Sequence, residues 1–153
     1  MNLTHLLRTH GFAACAFALV AAGCTDTPGE ISRDAAPFDG IAENAIIDVG
    51  GTEPFWALRI SPEGDAYKAQ YSAPELPEGE TFSVIRFAGN NGLGFSGEWA
   101  GAPVNLTLTP GECSDGMSDR TYPYTATLQL DEVTLFGCAH TDMEPFSEGE
   151  NRP

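Results

Sequence analysis

A chain of 153 residues, 42% hydrophobic and 19% charged, has the length of one modest domain. Its 22 acidic residues against seven Lys and Arg give a net charge of −15. Such a surface repels phosphate backbones and anionic headgroups, which argues against nucleic acid as a partner and against polybasic attachment to a membrane.

In chain order, a polar start holding Arg8 gives way to an apolar run from Gly11 to Ala22 and then to Gly23-Cys24. The run is too short to span a bilayer and has the build of an export signal. Val20-Ala21-Ala22-Gly23-Cys24 places small residues before a cysteine and resembles the lipobox of bacterial lipoproteins, with Ala21 where Leu is more usual. The expectation is that residues 1–23 are removed and that Cys24 carries the lipid. Thr25, rather than Asp, follows the cysteine, which by resemblance to lipoprotein sorting points to the outer membrane, facing the periplasm. The alternative is an ordinary secretory peptide, leaving Cys24 as an odd thiol.

Processing would leave six basic residues against 22 acidic ones, a net charge of −16. An acidic surface serves solubility as readily as it serves binding of a cationic partner. Cys15 would leave with the signal and Cys24 would be lipidated, so Cys113 and Cys138 remain as a pair and are predicted to form a disulfide in an oxidising compartment. Metal ligation is the rival, but no His–Cys cluster accompanies them, and His140 is the only histidine after the signal. No metal or other cofactor is expected.

Residues 24–43 are polar and broken by Pro and Gly, and read as a flexible tether. Residues 44–142 carry the folded domain, and 143–153 read as a disordered tail. Within the domain the dominant period is two. Val104, Leu106 and Leu108 alternate with Asn105, Thr107 and Thr109, and Tyr124, Ala126, Leu128 and Leu130 alternate with Thr125, Thr127 and Gln129. Shorter runs of the same kind at 45–49, 55–60, 66–72, 82–87, 93–99 and 133–138 bring the expected strands to eight. Glu63-Gly64-Asp65, Asn90-Asn91-Gly92 and Asp131-Glu132 supply hairpin turns. The fold class is all-β: a small antiparallel barrel or a sandwich with one disulfide, the barrel favoured because it removes sheet edges.

Two segments concentrate polar chemistry. Gly111-Glu112-Cys113-Ser114-Asp115-Gly116-Met117-Ser118-Asp119-Arg120 places acids, hydroxyls and a base between two strands. Asp-Gly suits a tight turn and Arg120 can neutralise a carboxylate, so a disulfide-pinned structural loop and a ligand-binding loop both fit. The spacing fails the calcium-loop pattern. Gly51-Thr52-Glu53-Pro54-Phe55-Trp56 either simply begins a barrel strand, with Trp56 facing the core beside Leu58 and Ile60 and plugging one end, or sets a carboxylate beside the Trp, where Glu53 could be partly desolvated and face Arg59 or Arg120. Glu53, Trp56, Asp115, Asp119 and Arg120 are expected to gather at one end of the barrel, around the aromatic ring, with Arg120 in a buried ion pair. No nucleophile elbow, phosphate loop or paired histidine is present, so an enzyme is not expected.

These same segments, with Tyr122-Pro123-Tyr124 and Gly137-Cys138-Ala139, resemble a family of uncharacterised bacterial envelope lipoproteins sometimes associated with META-type domains. The resemblance spans about residues 50 to 139 and implies a small β domain in the envelope, with no catalytic residues to carry over. A more distant resemblance is to the lipid-anchored inhibitors of c-type lysozyme, also small disulfide-stapled β-barrels. The chain lacks their Ser-Gly-rich loop and their Trp-x-Lys-Gly segment, Lys68 being its only lysine. The expected function is a lipid-anchored, non-enzymatic binding or envelope-maintenance module, its partner a cationic protein or a small ligand. The alternatives are an inhibitor of a lysozyme-like hydrolase and, next, a cell-wall hydrolase.

Overall fold

The computed structural model describes residues 36–149. The expected signal, cleavage site and Cys24 lie outside the described residues. Eight strands follow one another: β1 (Ile47–Thr52), β2 (Phe55–Glu63), β3 (Ala66–Ala73), β4 (Leu76–Ala88), β5 (Leu93–Trp99), β6 (Ala102–Cys113), β7 (Tyr122–Leu130) and β8 (Val133–Thr141). Each pairs antiparallel with its neighbours in sequence, and β8 closes on β1 into a barrel. That settles barrel against sandwich. Closure runs from Ile47↔Thr141 to Gly50↔Cys138, so β1 has a paired neighbour on both sides.

The period of two explains why the barrel is full. Inward positions carry Ile47, Leu58, Ile60, Phe95, Leu106, Leu108 and Leu128, each almost wholly buried, and eight strands enclose a space that side chains alone can fill. The turns follow local chemistry: Ala100-Gly101, both at positive φ, join β5 to β6, and Asp131 at positive φ opens the turn into β8. Two strands are longer than their apolar runs. β4 starts at Leu76 rather than Phe82, pairing with β3 through a bulge at Tyr71/Ala73. β6 continues to Cys113 through a second bulge after Pro110.

The packed unit also reaches into the stretches expected to be tether and tail. Residues 36–46 cross the end of the barrel where β2–β3, β4–β5 and β6–β7 connect. Ile41 and Ala45 are buried there and Phe38 packs beside them. The amide of Phe38 donates to the carbonyl of Gly89 at 2.8 Å, and Arg86 donates to that of Ile41 at 2.9 Å. After β8 the chain folds back. Thr121 and Ser147 exchange backbone hydrogen bonds, and the ring of Phe146 packs on Tyr122 and His140. At the opposite mouth Tyr71, Phe82 and Trp99 stack, and Trp99 Nε1 donates to Glu80 at 2.8 Å.

Candidate functional site

Cys113 and Cys138 form the predicted disulfide, with Cα atoms 5.6 Å apart. Closing a loop of 25 residues stabilises the fold by roughly 3 kcal/mol in the chain-entropy model. The bond also sets the path of the β6–β7 connection. Cys138 is an outward position of β8, so the bulge after Pro110 has to swing β6 over the outside of the wall to reach it. The loop from Ser114 then runs back along the barrel exterior, where the hydroxyl of Thr52 donates to the carbonyl of Asp115 at 3.1 Å. The two sequence segments therefore meet, although their connections belong to opposite ends of the barrel.

The loop is wound around the carboxylate of Asp115. It accepts the amides of Met117 and Ser118 at 2.9 and 2.8 Å, the Ser118 hydroxyl at 2.7 Å and the Tyr122 hydroxyl at 3.2 Å. These donors, the Ser118 amide foremost, hold its carboxyl down to about 2 from an ordinary value of 3.8. Asp115 is thus a fixed anion at neutral pH.

Trp56 lies on the other side of the wall. Its side chain is buried in the barrel and its indole passes over Gly51 and Gly137: an added Cβ would collide with the ring at Gly51, and at Gly137 with the carbonyl of Gly50 while crowding the ring. Its Nε1 is buried without a partner. The expected cluster around this ring is therefore not formed, because β-strand alternation sends Trp56 inward and the loop lies outside. Glu53 is exposed in the β1–β2 turn rather than desolvated. Arg59 is held by Asp48 across the β1–β2 ladder at 2.7 Å. Asp119 is exposed and takes part through its carbonyl, which accepts the amide of Gly149 at 2.9 Å. Arg120 is also exposed, and its guanidinium lies 4.2 Å from the centre of the Phe146 ring. The buried ion pair expected for it is replaced by this cation–π stack on the folded-back tail.

Two clefts flank the loop and share Gly50, Gly51, Thr52, Asp115 and Cys138. The first, about 410 Å³, crosses the outer face of β8, β1, β2 and β3. Its depth comes from the small outward residues Gly50, Ala57 and Ser72, and its rim from Asp48, Arg59, Gln70, Glu78, Tyr122 and His140. The second, about 720 Å³, lies between the loop and β7–β8 and is lined by Glu53, Met117, Thr127 and Phe136 among others. Three carboxylates face one guanidinium in the first cleft, and two carboxylates face no base in the second. Among the described residues no three His, Cys, Asp or Glu side chains converge where a metal ion could be held.

His140, set aside in the sequence as a lone histidine rather than a ligand, is a rim residue of the first cleft. Its ring sits between Tyr122 and Phe146, at 5.8 and 5.1 Å, and its Nδ1 is buried without a partner. The available signal was the alternation of β8, which puts His140 outward with Cys138. The rim residues Asp48, Arg59 and Gln70 are joined only by register.

What the fold and site define is a closed eight-stranded β-barrel with an acidic, disulfide-pinned outer face. No family model, curated protein or solved structure matches the chain.

Proposed function

We propose that the protein is a lipid-anchored module of the bacterial envelope that binds a cationic partner on the outer face of β8, β1 and β2. The observation that carries this reading is the pair of acidic clefts on either side of one rigid loop. The barrel interior is occupied by its own side chains, so recognition falls to the outside. A fixed carboxylate at Asp115, with Asp48, Glu53 and Glu78 around it, favours a basic group, while Met117 and Phe136 offer apolar contact beside it. A cationic cell-wall hydrolase of the lysozyme type is one partner with that chemistry, and the inhibitor reading is the version of this proposal in which the partner is such an enzyme. A small cationic ligand fits the same clefts.

The test is isothermal titration with a c-type lysozyme and with an Arg-rich peptide, each against the wild-type chain and a Glu53→Gln/Glu78→Gln variant. Both substituted side chains are exposed, so the variant should keep its melting temperature. Its affinity for the basic probe should fall about tenfold, a loss of roughly 1.4 kcal/mol. Absence of binding to either probe, or equal binding by both chains, sinks the reading.

A further inference from the structure

The two halves of the barrel exterior differ in charge. Outward positions of β1–β3 include Asp48, Arg59, Glu63 and Lys68, all engaged in ion pairs. Outward positions from Ser83 on β4 through Gly94 and Ser96 on β5 to Asn105, Thr107 and Thr109 on β6 carry no charge, and the outward acid of β5, Glu98, lies beyond them beside the β5–β6 turn. The β4–β5 turn, Gly89-Asn90-Asn91-Gly92, is uncharged as well. In a chain with 22 acidic residues, the uncharged patch is therefore the part of these three strands nearer the β4–β5 turn. On it stand two exposed apolar side chains, Ile85 at 73% and Phe87 at 53% of full exposure. They are two residues apart on one strand, hence on the same face about 7 Å apart along it. The Phe87 ring lies flat over Gly94, where any side chain would collide with it.

The chain also arrives at this corner. Phe38 is bonded to Gly89 in the turn that follows Phe87, so the described chain enters the barrel beside the patch. Cys24 is 14 residues further back, and that length of chain reaches roughly 50 Å at full extension. A lipid at Cys24 would keep this corner within about one barrel length of the bilayer.

We propose that the outer face of β4–β6 around the β4–β5 turn, with Ile85 and Phe87, lies against the bilayer that holds the lipid anchor. The inference rests on the lipid-anchored reading and adds an orientation to it. An anionic bilayer repels acidic surface, and the patch around the β4–β5 turn, away from Glu98, does not carry that penalty. Two apolar side chains are too few to hold a free protein on a membrane. On a tethered protein they act at high effective concentration and need only choose the orientation. In a closed barrel of eight strands β1 lies across from β5. Seating β4–β6 on the bilayer turns the acidic clefts around β1 away from it, toward a soluble partner.

The test uses residues 24–153, which retain every described contact. With Cys113 and Cys138 joined, Cys24 is the single free thiol and can be coupled to a maleimide lipid in vesicles of phosphatidylethanolamine and phosphatidylglycerol. Phe87→Trp and Phe55→Trp report on the two faces, since both phenylalanines are equally exposed. Trp56 and Trp99 are present in both variants, so the readout is the emission that each substitution adds to theirs: with brominated acyl chains the component added by Phe87→Trp should fall about twofold and that added by Phe55→Trp hardly at all. Hydrogen exchange on the coupled chain without substitutions should show added protection in residues 83–97. Equal quenching at the two positions, no quenching at either, or unchanged exchange overturns the orientation. So does dimerisation of the uncoupled chain that Phe87→Glu abolishes, because a second copy would then be the occupant. Coupling supplies the anchor chemically, so failure here is separate from failure of the lipoprotein reading, which loss of lipid labelling in cells by Cys24→Ser tests by itself.

Discussion

Gly51 and Gly137 have different neighbours on their two sides, and the contrast shows how one stretch of wall packs a core inside and carries a fixed polar loop outside. Inside, the indole of Trp56 rests on both glycines and is cut off from water. Outside, the Asp115 loop crosses the same strands and is held by a disulfide, a hydroxyl from Thr52 and a ring of short polar bonds. The inner contact is a matter of buried area. The outer one is a matter of fixed geometry at an exposed surface, where each bond is individually weak. A sequence segment that encodes both, Gly51 to Trp56, is for that reason easily misread as a single site.

The contrast is broken most severely from the inside. Trp56→Ala should destabilise the barrel by about 3–5 kcal/mol, because it empties a large buried volume that two glycines cannot fill. Trp56→Phe should cost well under half of that, since it keeps most of the ring and removes an indole N–H that has no partner. Equilibrium denaturation of the two variants checks the ordering. A Trp56→Ala barrel of unchanged stability would mean that the indole is not the plug behind the seam.

The outer side responds to pH instead. The Asp115 carboxyl is held well below its ordinary value, so its bonds stabilise the fold fully above about pH 4 and are lost as pH falls toward 2. Asp115→Asn should therefore melt earlier than wild type at neutral pH, with the gap closing between about pH 4 and 2. Melting curves across that range provide the measurement. A gap independent of pH would show that the charge of Asp115 does not organise the loop.

Strand alternation made much of the fold legible. In β6 and β7 the apolar and polar residues alternate without a break, and Cys113 and Cys138 pair as their place in the folded domain implies. β4 was read short because Pro77-Glu78-Gly79-Glu80 has the composition of a loop. It pairs with β3 through backbone groups that composition does not report, and Glu80, exposed at the mouth, accepts the N–H of Trp99. The site was legible in pieces. Thr52 and Asp115 do meet, but the separation of Trp56 from Glu53 is decided by which way residue 56 points once register is set. The rim of the first cleft joins Asp48, Arg59, Gln70 and His140 from four strands, a grouping that exists only after closure.

The smallest expected effect decides what the end of the loop is for. Arg120 has no carboxylate partner among the described ion pairs, is exposed, and stacks on Phe146. Removing it leaves no charge buried and unpaired, so the loss of roughly 3–5 kcal/mol that breaking a buried ion pair causes does not apply. An exposed cation–π contact is worth about 0.5–1 kcal/mol, and Arg120→Ala should cost no more than that in equilibrium denaturation. The loss should be felt locally. Phe146 is held between Arg120, Tyr122 and His140, and the backbone bridge between Thr121 and Ser147 lies beside it. Amide exchange in residues 144–149 should therefore quicken in Arg120→Ala while the barrel strands keep their protection. Phe146→Ala should reproduce that pattern, and adding Arg120→Ala to it should change little, because both substitutions remove one contact. A global loss several times larger would mean that Arg120 supports the barrel through a partner other than the ring, making the loop a structural staple after all.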